Sequence, residues 1–348
     1  MKNPLLRAQG RFFANARIRL IILASVLAAA WYWASSSPLR SDEMVLWEKV
    51  RYAQAWLWNT RGREGVLPAL YADPEKTGFI GLEWSPITTT LGPLEAKRTA
   101  ADPLWSVYAL RQLRRLGIGE GDPVAVLSSS SFPGLVYSVL AAAEFQGASI
   151  LWIHSLGSST WGANDTSFPW PAIAAALRRG GFMAKKADWY TFGGRAEAAL
   201  DLPEEGRGVL ERAAALEGVP LLEGRSLQEM TDAKWEIISG FAPRILVNIG
   251  GGAAAFGGVQ DGFPGGGLFT PGGPPPPGGG LLRRAFESGI PVLHFLDMKG
   301  MGSRAGIPYD GRPSPRFRAS GGPAVPAAGL AFFFFFLLFF KRWDRWEL

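Results

Sequence analysis

From residue 123 onward, short continuous apolar runs alternate with segments whose apolar positions recur every three to four residues. "PVAVLSSSS" predicts a buried strand ended by a serine-rich turn, and "FPGLVYSVLAAAEFQG" a helix stopped by glycine. "ASILWIHSLG" and "WPAIAAALRRGG" repeat that pair. Two weaker strands, "DWYTFGG" and "VPLLEG", lie around a helix in "EEGRGVLERAAALEG". "RILVNIGGG" and "PVLHFLDMKG" are strong strands again, with "LLRRAFESG" a helix between them. Strands that are apolar throughout, each followed by a helix, predict an α/β fold: a mostly parallel, Rossmann-like sheet with helices on both faces.

Outside this alternation the pattern changes. Residues 41–61 place Val45, Leu46, Val50, Ala53 and Leu57 at helical spacing after Ser41, which predicts a juxtamembrane helix. Residues 62–100 read as loop, and contain the polar stretch "GLEWSPITTTLGPLEAKRT". Residues 253–280 are too rich in Gly and Pro to nucleate either regular structure, so a long loop is expected. At the ends, "RLIILASVLAAAWYWASSS" and "AVPAAGLAFFFFFLLFFKRW" are apolar enough to suggest transmembrane helices over 18–35 and 324–340. The first is also compatible with a cleaved signal peptide, although bulky Trp31, Tyr32 and Trp33 stand where small residues should precede a cut. The second has a rival in a hydrophobic tail packed on the core or lying in the membrane interface. On the spanning reading, residues 1–17 and 341–348 are cytoplasmic and 62–318 form a domain outside the cell membrane.

Charge supports a membrane rather than a nucleic-acid partner. The net charge is +6, but residues 1–41 hold six Lys or Arg and no acid, so the middle of the chain is close to neutral. A nucleic-acid binder needs its basic excess on the folded surface. There is no Cys and there are only two His, which excludes disulfides, thiolate chemistry and a His-rich metal site. No cofactor is expected.

Ligands of parallel α/β sheets bind at the carboxyl ends of the strands. Those ends carry Ser128 to Ser131, His154 with Ser155, Gly193 with Gly194, Asn248 with Gly250 and Gly251, and His294 with Asp297 and Lys299. The serines have three readings: a helix cap, a cradle for an anion, or a nucleophile (Ser129 or Ser131) activated by His154 or His294 with Asp297 as orienter. In the polar stretch, Glu83, Ser85, Thr88, Thr89, Thr90, Lys97 and Arg98 could line a site for an anionic chain. The alternative there is structural: hydroxyls capping a helix near Leu94, with Glu95 and Arg98 paired along it.

"KTGFIGLEWSPITTTLGPLEAKRT" resembles the poly-γ-glutamate system protein family, which is associated with bacterial poly-γ-glutamate synthesis. "SFPGLVYSVLAAA", "HSLGSSTWGANDTSFPW", "ILVNIGGG" and "GIPVLHFLDMKG" are similar to it in the same order, over roughly residues 44–310. The resemblance implies an accessory membrane component of capsule biosynthesis at the cell envelope, handling poly-γ-glutamate or another anionic polymer beside other membrane subunits. The competing expectation is an envelope hydrolase or transferase cutting γ-glutamyl amide bonds with a Ser–His site. The resemblance carries no catalytic residues across.

Overall fold

The computed structural model describes residues 21–27, 36–258, 265–276, 278–318 and 328–335. The chain divides into two compact units, Leu39–Pro315 and a second made from Met1–Pro38 with Arg316–Leu348. In the second unit β1 (Ser36–Pro38) pairs antiparallel with β10 (Arg316–Arg318), and residues 21–27 and 328–335 are helical. Among the described residues no helix is long and apolar enough to cross a membrane. The expected pair of flanking transmembrane helices is therefore withdrawn. Residues 18–20, 28–35, 324–327 and 336–340 of those two segments lie outside the described residues. So do the two proposed cytoplasmic ends, 1–17 and 341–348.

The larger unit opens with α1 (Ser41–Arg63), whose first turn holds Asp42 and Glu43 and whose last turn holds Arg61 and Arg63. Both ends thus complement the helix dipole. Leu46, Val50, Ala53 and Leu57 are buried as their spacing predicts, whereas Val45 is exposed. After a long loop come β2 (Thr88–Thr90), α2 (Leu94–Ala100) and α3 (Leu104–Arg115). The βα alternation then runs β3 (Pro123–Ser129), α4 (Pro133–Phe145), β4 (Ser149–Ser155), β5 (Ser158–Ser159), α5 (Trp170–Arg179), β6 (Trp189–Thr191), α6 (Glu204–Glu217), α7 (Leu227–Phe241) and β7 (Ile245–Ile249). It ends with α8 (Ala253–Phe256), β8 (Gly267–Phe269), α9 (Leu281–Glu287), β9 (Val292–Phe295) and α10 (Met298–Ala305).

Six strands form the main sheet in the order β6-β4-β3-β7-β9-β8, parallel except for β8. The sheet is therefore mixed, and its antiparallel edge comes from the Gly/Pro-rich segment expected to be loop throughout. "VPLLEG" contributes only an isolated bridge between Tyr190 and Leu221 rather than a strand. The chain builds outward from β3 through β4 to β6, then returns to the other side of β3 with β7. The crevice between β3 and β7 is thus the point where strand order reverses, the usual ligand site of such sheets. Register fixes what each face receives. Tyr190, His154, Ser128, Ile249 and Phe295 form one row across the sheet; Trp189, Ile153, Leu127, Asn248 and His294 form the next. Successive rows face opposite sides. The two histidines therefore serve different faces.

Candidate functional site

His154 is fully buried between Trp170, Trp152 and Tyr190, with ring centroids 4.8, 5.6 and 6.0 Å away. Its Nδ1 lies 2.7 Å from Ser128 Oγ and its Nε2 3.0 Å from Ser130 Oγ. The indole of Trp152 donates to Ser128 Oγ at 2.8 Å, and Ser130 Oγ donates to the Ser155 carbonyl at 3.3 Å. One proton arrangement satisfies every group: Trp152 to Ser128 to Nδ1, then Nε2 to Ser130 to Ser155. Burial pushes the imidazole well below its ordinary pKa, with the Lys234 charge adding to it, so the ring is neutral. This closed network is core structure. It uses Ser128 and Ser130; Ser129 alternates to the other side of the sheet, and Ser131 Oγ, in the turn after β3, accepts from Ser159 N instead.

On the other face, Asn248 Nδ2 donates to His294 Nδ1 at 2.9 Å and to the Gly250 carbonyl at 2.9 Å. His294 Nε2 has no hydrogen-bond partner among the described residues, and Phe256 stands edge-on at 5.3 Å. Burial lowers its pKa to about 4, against the hydrogen bond from Asn248. Asp297 does not orient it; that carboxylate caps α10 by accepting from Gly300 N at 2.9 Å. Lys299 is exposed, its ammonium 5.9 Å from the centre of the Tyr309 ring, and Gly251 is exposed beside buried Gly250. No catalytic triad forms from these residues.

The crevice between β3 and β7 is bordered by Ser129, Ser155, Glu197, Lys234, Asn248 and Gly252, and has room for about 20 Å³. That volume holds roughly one water. Glu197 fills the rest: its carboxylate accepts from Lys234 Nζ at 2.8 Å, Ser155 and Thr191 hydroxyls at 3.1 Å each, and Ala254 N at 3.3 Å. Burial alone would raise the Glu197 pKa, but Lys234 and the hydrogen bonds from Ala254 and Ser155 together outweigh it and hold the pKa below the usual carboxylate range. Ala196, Glu197 and Ala199 all have positive φ, so this plug is held in a conformation that ordinary residues avoid.

The polar stretch forms a different site. Asn164 locks it by accepting from Leu82 N at 2.8 Å and donating to the Leu82 carbonyl at 2.8 Å and Thr88 Oγ1 at 2.9 Å. Ser85 donates to the Asn164 carbonyl, and Thr88 accepts from Ser85 N at 3.0 Å. Thr89 donates to the Ser158 carbonyl at 3.2 Å, beside the parallel pairing of β2 with β5. Arg61, buried at the end of α1, donates to the carbonyls of Val66, Gly78 and Ile80 and pairs with Asp165 at 3.1 Å. Ser85 and Thr88 are therefore structural. Arg98 donates to the Tyr71 and Ala72 carbonyls and pairs with Asp310 at 3.2 Å rather than with Glu95.

Above this scaffold lies a cleft of about 580 Å³, lined by Glu83, Trp84, Leu91, Gly92, Pro93, Thr160 and Trp161. Glu83 and Trp84 are exposed, and Thr90 lies exposed on the ridge leading to Leu91. Lys97 lies beneath that ridge, only 3% exposed. Its Nζ is 2.6 Å from the Ser131 carbonyl and 2.5 Å from Ser159 Oγ, and stands 4.0 Å over the Phe132 ring. Among the described residues no carboxylate pairs with it, and burial lowers its pKa to about 7. Ser131 Oγ accepts from Ser159 N at 3.1 Å, fixing the serine's backbone. A Cβ on Gly92 would lie 3.3 Å from both Lys97 Nζ and Ser159 Oγ.

No family model, curated protein or solved structure matches the chain. Among the described residues no group of three or more His, Cys, Asp or Glu side chains could hold a metal. Of the residues singled out in the sequence, the structure brings Lys97 and Ser131 together, and Glu83 to the cleft beside them. Ser159, Trp84, Trp161, Glu197 and Lys234 were not singled out. Ser159 lay in plain view in "HSLGSSTWG", past the end of a strand, where the same rule that selected His154 applies.

Proposed function

We propose that the protein handles an extended polymer strand in the cleft between Trp84 and Trp161, the accessory role implied by the resemblance to the poly-γ-glutamate system family. The observation that carries this is the pairing of an open, aromatic-walled cleft with a backbone fixed from below by Asn164, Ser85 and Thr88. A preformed apolar surface binds without paying much ordering entropy. The lining has one acid, Glu83, and no base, since Lys97 and Arg98 are engaged internally. A γ-linked polyglutamate would accordingly lie with its amides and methylenes on the indoles and its carboxylates in water, away from Glu83. The alternative, an envelope enzyme with a Ser–His site, is less favoured, because His154 and His294 are both buried and His154 has both ring nitrogens hydrogen-bonded.

Tryptophan fluorescence titrated with γ-linked oligoglutamate tests this. Binding should change little between low and high salt, because apolar contact with the indoles and not charge pairing holds the strand, and W84A should weaken it at least about tenfold, in line with the roughly 1.5–3 kcal/mol for burying a large apolar side chain. Affinity that collapses with salt, or that W84A and W161A leave alone, would overturn the reading.

A further inference from the structure

We propose that Ser159 and Lys97 form an acyl-transfer centre of the serine–lysine type, acting on an amide carbonyl presented from the neighbouring cleft. This rests on the reading of that cleft as a strand-binding site.

Three features of the geometry converge on it. Among the described residues the lysine has no counter-ion, and its only hydrogen-bond partners are a carbonyl and a hydroxyl. The Ser131 carbonyl can only accept, so it fixes one N–H of Lys97; the Ser159 hydroxyl can donate, so it can point its proton at a neutral Nζ. Such a lysine is a base beside a nucleophile, the arrangement that activates a hydroxyl. Finally, the residue over the pair is Gly92, which lines the cleft and has no side chain to block approach. Gly92 N donates to Thr160 Oγ1 and the Thr160 hydroxyl donates to the Gly92 carbonyl, each at 2.8 Å, so lifting the Leu91–Pro93 ridge breaks these two hydrogen bonds. The β3/β7 crevice offers no rival, since Glu197 already occupies it.

The reaction balances with water as the second substrate. Neutral Lys97 takes the Ser159 proton as Oγ bonds to the amide carbon. The tetrahedral adduct collapses, the C–N bond breaks, and the Lys97 ammonium protonates the leaving amine. Water then adds to the ester, giving a proton to Lys97; the C–Oγ bond breaks and Ser159 recovers its proton. Amide plus water becomes acid plus amine.

The state of Lys97 sets the pH dependence. Burial is the only cause that lowers its pKa. The charged groups on the elements around it are Glu95 and Arg98 on its own helix, Glu83 on the cleft rim, and Lys299 and Arg304 on α10, and none forms an ion pair with it among the described residues.

The full chain, treated with a fluorophosphonate probe from pH 6 to 9 and mapped by peptide mass spectrometry, decides the matter. The expected result is one adduct, on Ser159, formed at a rate that rises with a midpoint near pH 7. S159A should abolish it, S129A should not, and K97M should slow it at least about 100-fold, the lower range of general-base assistance. Absence of an adduct, an adduct only elsewhere, or labelling of K97M at the wild-type rate would overturn the proposal. Should K97M fail to fold, S159C in the native background tests the pair through iodoacetamide alkylation instead. A thiol titrating below the ordinary cysteine range supports the pair, and an ordinary thiol overturns it. Oligoglutamate binding measured on S159A separates the two readings, since the cleft should still bind when the nucleophile is gone.

Discussion

Two buried nitrogen bases in this protein hold serine hydroxyls within hydrogen-bond distance, and they differ in what surrounds them. His154 has both ring nitrogens partnered, three aromatic walls and no exposure. Lys97 has one carbonyl, one hydroxyl and a glycine between itself and a cleft. A serine beside a base thus does not mark catalysis by itself. What separates a structural pair from a reactive one is whether the base has an uncommitted electron pair and whether a substrate can arrive.

Removing the base should expose that difference most strongly in stability. His154→Ala would strand the hydroxyls of Ser128 and Ser130 and open a cavity among Trp152, Trp170 and Tyr190. A loss of roughly 3–5 kcal/mol is expected by urea unfolding, from cavity and unsatisfied hydrogen bonds together. A loss below about 1 kcal/mol would sink the view that this network is core.

Lys97→Met should do the reverse at low pH. The folded pKa of about 7 lies below the ordinary lysine value of 10.5, so the folded state binds the proton less well than the unfolded chain. The stability associated with neutral Lys97 is complete above pH 10.5 and is lost as pH falls through about 7. K97M should therefore flatten the curve and be more stable than wild type below pH 7, by roughly 2–4 kcal/mol, since each tenfold loss of proton affinity on folding is worth about 1.4 kcal/mol. An unchanged slope between pH 7 and 10 would show that Lys97 is solvated.

His294 is an intermediate case, buried but with one ring nitrogen lacking a hydrogen-bond partner among the described residues. Its pKa of about 4 makes its contribution complete above the ordinary histidine value of 6.5 and lost as pH falls through 4. Replacing it with Phe should remove roughly 1–3 kcal/mol of acid sensitivity between those limits, visible as a shallower melting-temperature profile. The smallest effect belongs to Gly92→Ala. Its backbone tolerates a side chain, so stability should move by less than about 1 kcal/mol, typical of surface changes, while the crowding at 3.3 Å should slow labelling of Ser159. Unslowed labelling would mean that the probe reaches the serine by another route.

Much of the sheet was legible, because continuously apolar strands leave little choice of class. The pairing of serines with histidines was not. The candidates were Ser129 or Ser131 with His154 or His294, whereas register sets Ser128 beside His154 and the turn after β3 adds Ser130, and register is a tertiary fact. Helix α7 escaped notice although Ser226 and Glu229 spell a capping box, with Ser226 Oγ accepting from Glu229 N at 3.1 Å. Strand β8 was hidden for a different reason. Its glycine-rich sequence has no intrinsic strand preference, and the edge of β9 imposes one. The cleft itself is assembled from residues 83–93 and 160–161, so no local window contains it.

Arg61 gives the cleft a history as well as a shape. One guanidinium gathers three carbonyls of a segment that has no regular structure, and ties it to Asp165, 104 positions along the chain. Helix α1 can form from local contacts at once, but the segment it organises must wait until β3, β4 and the loop after them have brought Asp165 into reach. Contacts so distant in sequence are slow to close. The cleft is therefore expected to be completed late in folding, after the sheet has formed.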